Sequence, residues 1–114
     1  MSNKNRVTIG FVPREQFSTT KRSLETLIER TLEPFNLVVV DGGSPTNIRD
    51  YLREASRTHG FLLIRNEQFI TPTQARNLVL DHVQTQYVAF VDNDVLVQRG
   101  WLRSLVECAE KTAA

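Results

Sequence analysis

The stretch YVAFVDNDVLVQRGW, residues 87–101, decides the fold. An apolar run, Tyr87 to Val91, stops at Asp92-Asn93-Asp94, and the chain turns apolar again before Trp101. A short apolar run bounded by polar turn residues reads as a buried strand. Two carboxylates at the end of such a strand are costly unless something neutralises them. The candidates for that position are a metal ion, a phosphorylated nucleophile and a plain pair of turn residues.

The same alternation extends back to the N-terminus. VTIGFV (Val7 to Val12) reads as a first strand, ended by Pro13. A helix follows, with Ser18, Thr19 or Thr20 as its N-cap and Leu24, Leu27, Ile28 and Leu32 as its buried stripe. LVVVD (Leu37 to Asp41) is a continuous β-branched strand fit to be covered on both faces. After the turn GGSPT, a second helix presents Ile48, Tyr51, Leu52 and Ala55 and stops near Gly60. FLLI (Phe61 to Ile64) is a third strand, and a helix from near Thr73 shows Ala75, Leu78, Val79 and Val83. After the fourth strand a last helix carries Leu102, Leu105, Val106 and Ala109. Such βα units predict a single α/β domain over residues 1–114, with a parallel sheet and helices on both faces.

Ligands of such sheets bind at the carboxyl ends of the strands, where the strand order reverses. The residues to inspect are therefore Pro13 and Arg14, Asp41 to Ser44, Arg65 and Asn66, and Asp92 to Asp94. Asp41 can accept hydrogen bonds from a base or ribose, or cap the turn through the amides of Gly42 to Ser44; either role fits. Asp92 and Asp94 share a face about 7 Å apart in extended geometry. Two carboxylates suit Mg²⁺ or Mn²⁺ with a diphosphate filling the remaining positions, and an Asx-turn is the plain alternative. Arg76 and Asn77, in TPTQARN, are expected to open the third helix, where an arginine and free amides would make an anion site; a solvated surface arginine is the default.

Composition narrows the classes. With 14 basic and 13 acidic residues the net charge is +1, which gives no electrostatic reason to expect a nucleic-acid partner. Cys108 is the only cysteine, so no intrachain disulfide is possible and a reducing cytoplasm fits; the residue is expected to be buried or half-buried on its helix. No apolar run approaches the roughly 20 residues that cross a bilayer. His59 and His82 have no partner at metal-ligand spacing, Trp101 reads as packing, and Ser44 has no nearby histidine to activate it.

The segments VTIGFVP, LVVVDGGSPT, QARN and YVAFVDND, in this order and spacing, resemble the nucleotide-binding half of family 2 glycosyltransferases with the GT-A fold. The resemblance runs from about Val7 to about Ala109 and implies a Rossmann-like three-layer α/β/α domain with strand order 3-2-1-4. It implies a nucleotide site at Pro13, Arg14, Asp41, Gly43, Arg76, Asp92 and Asn93, with Asp41 on the base, usually uracil. It also implies a divalent metal, Mn²⁺ or Mg²⁺, on Asp94 and Asp92. The implied partner is a nucleoside-diphosphate sugar, a UDP-sugar first, used for inverting transfer to an unidentified acceptor. Members of the family often have a glycine where this chain has Thr71, so the loop Asn66 to Pro72 is expected to differ in shape. Inverting members take their general base from a downstream carboxylate. This chain ends about 20 residues after Asp94, so the general base is expected beyond Ala114 and no catalytic residue is assigned within the chain. The expectation is a donor-binding fragment of a larger, cytoplasmic or membrane-associated transferase, inactive by itself and prone to pair as a homodimer through the apolar fourth strand or the last helix. Two alternatives stand beside it. One is a non-catalytic α/β binding module. The other is a haloacid dehalogenase-like phosphatase, whose D-x-D-x-[TV] pattern DNDVL matches, with Asp92 as nucleophile.

Overall fold

A computed structural model describes residues 5–13, 17–93 and 95–112. Four strands alternate with four helices: β1 Val7–Val12, α1 Thr20–Arg30, β2 Asn36–Gly42, α2 Thr46–His59, β3 Leu62–Asn66, α3 Pro72–Leu80, β4 Tyr87–Asp92 and α4 Trp101–Thr112. A single 3-10 turn, Phe17–Thr19, leads into α1. The sheet is parallel throughout, with strand order β3-β2-β1-β4. Among the described residues no helix is long and apolar enough to cross a membrane.

Period-two alternation sorts the core. Val7, Ile9 and Phe11 of β1, with Leu37 and Val39 of β2, face a cluster built with α1, α2 and α4 through Leu24, Leu27, Ile48, Leu52 and Leu102. Val12, Val38 and Val40 point the other way, onto Ala75 and Val79 of α3. Every residue of β1 is buried, because helices cover both faces of this central strand. The α3 face has the thinner cover: Leu62 is 43%, Leu80 48% and Phe90 37% exposed.

Three sequence expectations change. Leu32 does not extend the α1 stripe; the helix ends at Arg30, Thr31 turns its backbone to the extended region, and Leu32 is 74% exposed. Thr19 precedes α1 but its hydroxyl does not cap it; the hydroxyl donates instead to the Asn93 carbonyl across the sheet edge at 2.8 Å. Cys108 is exposed on α4, since Leu102 and Val106 occupy the inward face of that helix.

The close approach of α3 to the sheet depends on Gly10. A Cβ there would lie 2.9 Å from a Val79 methyl and 3.0 Å from the Phe90 ring. Val79 is fully buried and χ1-restricted, so it cannot move aside without opening the α3 contact. Gly10→Val is therefore expected to lower the unfolding free energy by about 1–3 kcal/mol, the usual range for overpacking. Urea denaturation followed by circular dichroism measures it, and an unchanged midpoint would show that α3 does not pack on Gly10.

Candidate functional site

The strand exits meet along one edge of the sheet. Register places Val12 beside Asp92 and Asp41 beside Arg65. Strand order reverses between β1 and β4, so Pro13, which is buried, and Asp92, which is half-buried, flank the switch point. Arg14 and Asp94 lie outside the described residues, and so does Ala114, past which the resemblance puts the general base.

Asp41 is the most constrained group. Its residue is 1% exposed. Oδ1 accepts from the Ser44 amide at 3.2 Å. Oδ2 accepts from the Ser44 hydroxyl at 2.6 Å and from Arg65 Nη1 at 2.7 Å. The capping role thus takes both oxygens of the carboxylate. The sequence marks Arg65 only as a strand exit; its parallel register opposite Asp41 is what makes it a partner. The same Nη1 also reaches the hydroxyl and carbonyl of Ser44, at 3.0 and 3.3 Å, and Nη2 donates to Glu67 at 3.3 Å. Hydrogen bonds and charge from Arg65 hold the Glu67 carboxyl below its ordinary range. Burial opposes the charge on Arg65, but its bonds to Asp41 and Glu67 outweigh that and leave the guanidinium more basic than usual.

Gly43 lies between Asp41 and Ser44 with φ +75, and its amide donates to the Asn66 carbonyl at 2.9 Å. A Cβ on Gly43 would stand 3.1 Å from the Phe69 nitrogen, so the loop after β3 lies directly on the turn after β2. That loop ends in Thr71, which occupies the position where the resembling family often has glycine. Thr71 caps α3: its hydroxyl accepts from the Gln74 amide, and the Gln74 side chain accepts from the Thr71 amide.

This cap corrects the placing of Arg76 and Asn77. The helix starts at Pro72, so Arg76 is its fifth residue and does not sit among free terminal amides. Arg76 lies over the Phe90 ring, 5.8 Å from its centroid, on an exposed stretch of α3.

The turn after β4 is held by α1. Ser23 donates to the carbonyls of Val95 at 2.6 Å and Asp92 at 3.4 Å. Asn93 is buried, and its side-chain amide donates to the Thr20 hydroxyl at 3.3 Å. Arg30 and Thr31 hold the segment beyond, through the Val97 carbonyl and the Trp101 indole N–H. Thr20 and Ser23 break the apolar stripe of α1 because Ser23 satisfies backbone carbonyls of this turn and Thr20 accepts from the buried Asn93 side chain.

Asp92, a hard oxygen donor at the switch point, fits the chemistry of Mg²⁺ or Mn²⁺. Among the described residues no three acidic, histidine or cysteine side chains gather as a metal site. Clefts of about 590 and 510 Å³ open at the opposite end, around His59 and His82 and around Arg6 and Leu102, and neither is lined by a strand-exit residue.

Comparison with known proteins gives a consistent picture. The family model for glycosyl transferase family 2 matches residues 14–114. A mannosyltransferase from Pyrobaculum calidifontis, solved with GDP-Man and Mn²⁺, superposes with a TM-score of 0.78 at 24% identity, over 95% of this chain and 33% of that one. TarS 1-349 from S. aureus, solved with UDP-GlcNAc, superposes at 0.71 with 21% identity, over 91% of this chain and 31% of that one. A teichoic acid poly(glycerol phosphate) polymerase of Staphylococcus epidermidis is 28% identical over 98 residues, 81% of this chain and 13% of its own length. The chain thus spans about a third of these solved proteins and about an eighth of that curated relative.

The buried charge pair predicts a stability effect. Asp41→Ala leaves the part-buried Arg65 guanidinium with the Glu67 carboxylate alone and the Ser44 hydroxyl without its acceptor, and is expected to cost about 1–3 kcal/mol. Adding Arg65→Met should recover most of that loss. Urea denaturation of both variants is the check, and a double variant no more stable than Asp41→Ala would mean that the pair is not the source of the loss.

Proposed function

Because the chain belongs to glycosyl transferase family 2, we propose that the carboxyl edge of its sheet binds the nucleoside diphosphate of a sugar donor. The observation that carries this reading is the position of Asp92, at the end of β4 beside Pro13, where the strand order reverses. The solved neighbours with GDP-Man and UDP-GlcNAc support the ligand class.

In this reading Asp41 meets the base, Asp92 the ribose, and Asp92 with Asp94 hold Mn²⁺ or Mg²⁺. The bound cation supplies charge neutralisation for the leaving diphosphate. The residues described above do the rest. Gly43 lets the β3–α3 loop close down beside the base position, and the hydroxyls of Thr19 and Ser23 hold the backbone carbonyls of Asn93 and Val95 in the turn after β4. Transfer is proposed to invert the anomeric centre, with the acceptor hydroxyl deprotonated by a carboxylate from beyond Ala114 and the diphosphate leaving from the opposite side.

Calorimetric titration of UDP with and without Mn²⁺ tests the assignment. Wild type is expected to bind more tightly with the metal, and Asp94→Asn to lose about tenfold in the presence of Mn²⁺, equal to about 1.4 kcal/mol. Equal affinities for wild type and variant, with and without metal, would remove the acidic pair from the site.

A further inference from the structure

A carboxylate that reads a base has to be reachable, and Asp41 is not. Its residue is 1% exposed, and Arg65 Nη1 and the Ser44 hydroxyl both sit on Oδ2. One of these donors has to leave before a ligand can take its place. Ser44 is tied to Asp41 twice, through amide and hydroxyl, and starts the turn into α2, so it stays. Arg65 has somewhere to go. Its Nη2 already donates to Glu67, whose side chain is 74% exposed, and its buried Nε has no hydrogen-bond partner among the described residues. Moving outward keeps a carboxylate beside the guanidinium and hydrates the orphaned Nε, which offsets part of the loss of Asp41.

We propose that Arg65 is a displaceable gate on the base subsite: it occupies Asp41 until a base that presents an N–H displaces it toward Glu67. The proposal rests on the nucleotide reading above. An ionised carboxylate only accepts hydrogen bonds. A base that replaces the guanidinium must therefore bring a donor, as uracil does with N3–H and guanine with N1–H. Cytosine and adenine bring only an exocyclic amino donor beside an acceptor ring nitrogen, so one Asp41 oxygen would accept from the amino group while the ring lone pair faces the carboxylate, a poorer replacement for the guanidinium. Asp41 thus discriminates among bases, while Arg65, which any base has to displace, scales their apparent affinity by the occupancy of its open position.

The test is calorimetric titration of the chain with UDP, CDP and inorganic pyrophosphate, each with Mn²⁺, for wild type, Glu67→Gln and Arg65→Lys. Wild type should prefer UDP over CDP by at least about tenfold. Glu67→Gln removes the exposed resting place from a surface position; it should weaken UDP by about threefold or more and leave pyrophosphate unchanged. Arg65→Lys replaces the fork that holds Asp41 through Nη1 and Glu67 through Nη2 with a single ammonium, so its hold on Asp41 is weaker and UDP should bind more tightly than to wild type. If the lysine variant does not fold, Glu67→Gln alone carries the test. UDP and CDP bound equally by wild type, or UDP affinity unchanged by Glu67→Gln, would overturn the role of Arg65 while the nucleotide reading stands. Wild type that binds neither nucleotide would overturn both.

Discussion

A parallel strand at the centre of a sheet has to be covered on both faces, and β1 carries that requirement for the whole domain. Val7, Ile9 and Phe11 gather α1, α2 and α4 on one side. Thr8, Gly10 and Val12 bring α3 against the other, and Thr8 answers its own burial by sharing a 2.7 Å hydrogen bond with Thr85. Once both faces are covered, β2 and β4 pair with β1 on either side and the right-handed crossovers follow. The switch point between β1 and β4 is therefore a consequence of where β1 sits.

Polar chemistry at the carboxyl edge is arranged so that little of it is left buried and unpaired. The Asp41 carboxylate uses both oxygens within three residues of chain and one register partner. The turn after β4 is satisfied by the hydroxyl of Thr19, at the entrance to α1, and by that of Ser23 within it, which would count as a defect if α1 were read only as an apolar helix. These contacts bind the two sides of the edge to different neighbours: the β2 and β3 exits to each other, the β4 exit to α1. The Nε of Arg65 is the exception on the first side, and it belongs to the one side chain that has an exposed carboxylate as a second partner.

The loop from Asn66 to Pro72 ends in a side-chain cap that fixes where α3 begins. A glycine at position 71 would leave the first amides of α3 free. Thr71 and Gln74 satisfy one another's amides instead, and the helix starts a full turn before Arg76. Arg76 is left to stack on Phe90, on the face where helix cover is thinnest.

Much of this was legible in the residues themselves. Val7 to Val12 coincides with β1, and the other strands differ from their predicted ends by one or two residues, because short β-branched runs bounded by Pro13, Gly42 and Gly60 admit few alternatives. Order, parallelism and the carboxyl-edge location of the acidic residues follow from the βα alternation and the family resemblance. Contacts set by register and long sequence separation were not legible. Arg65 meets Asp41 across 24 residues, Thr19 meets the Asn93 carbonyl across 74, and Leu32 is exposed because α1 ends at Arg30. Local pattern reports which residues are apolar and at what period. Which polar side chain satisfies which buried group depends on the faces that packing brings together, and only the folded chain decides that.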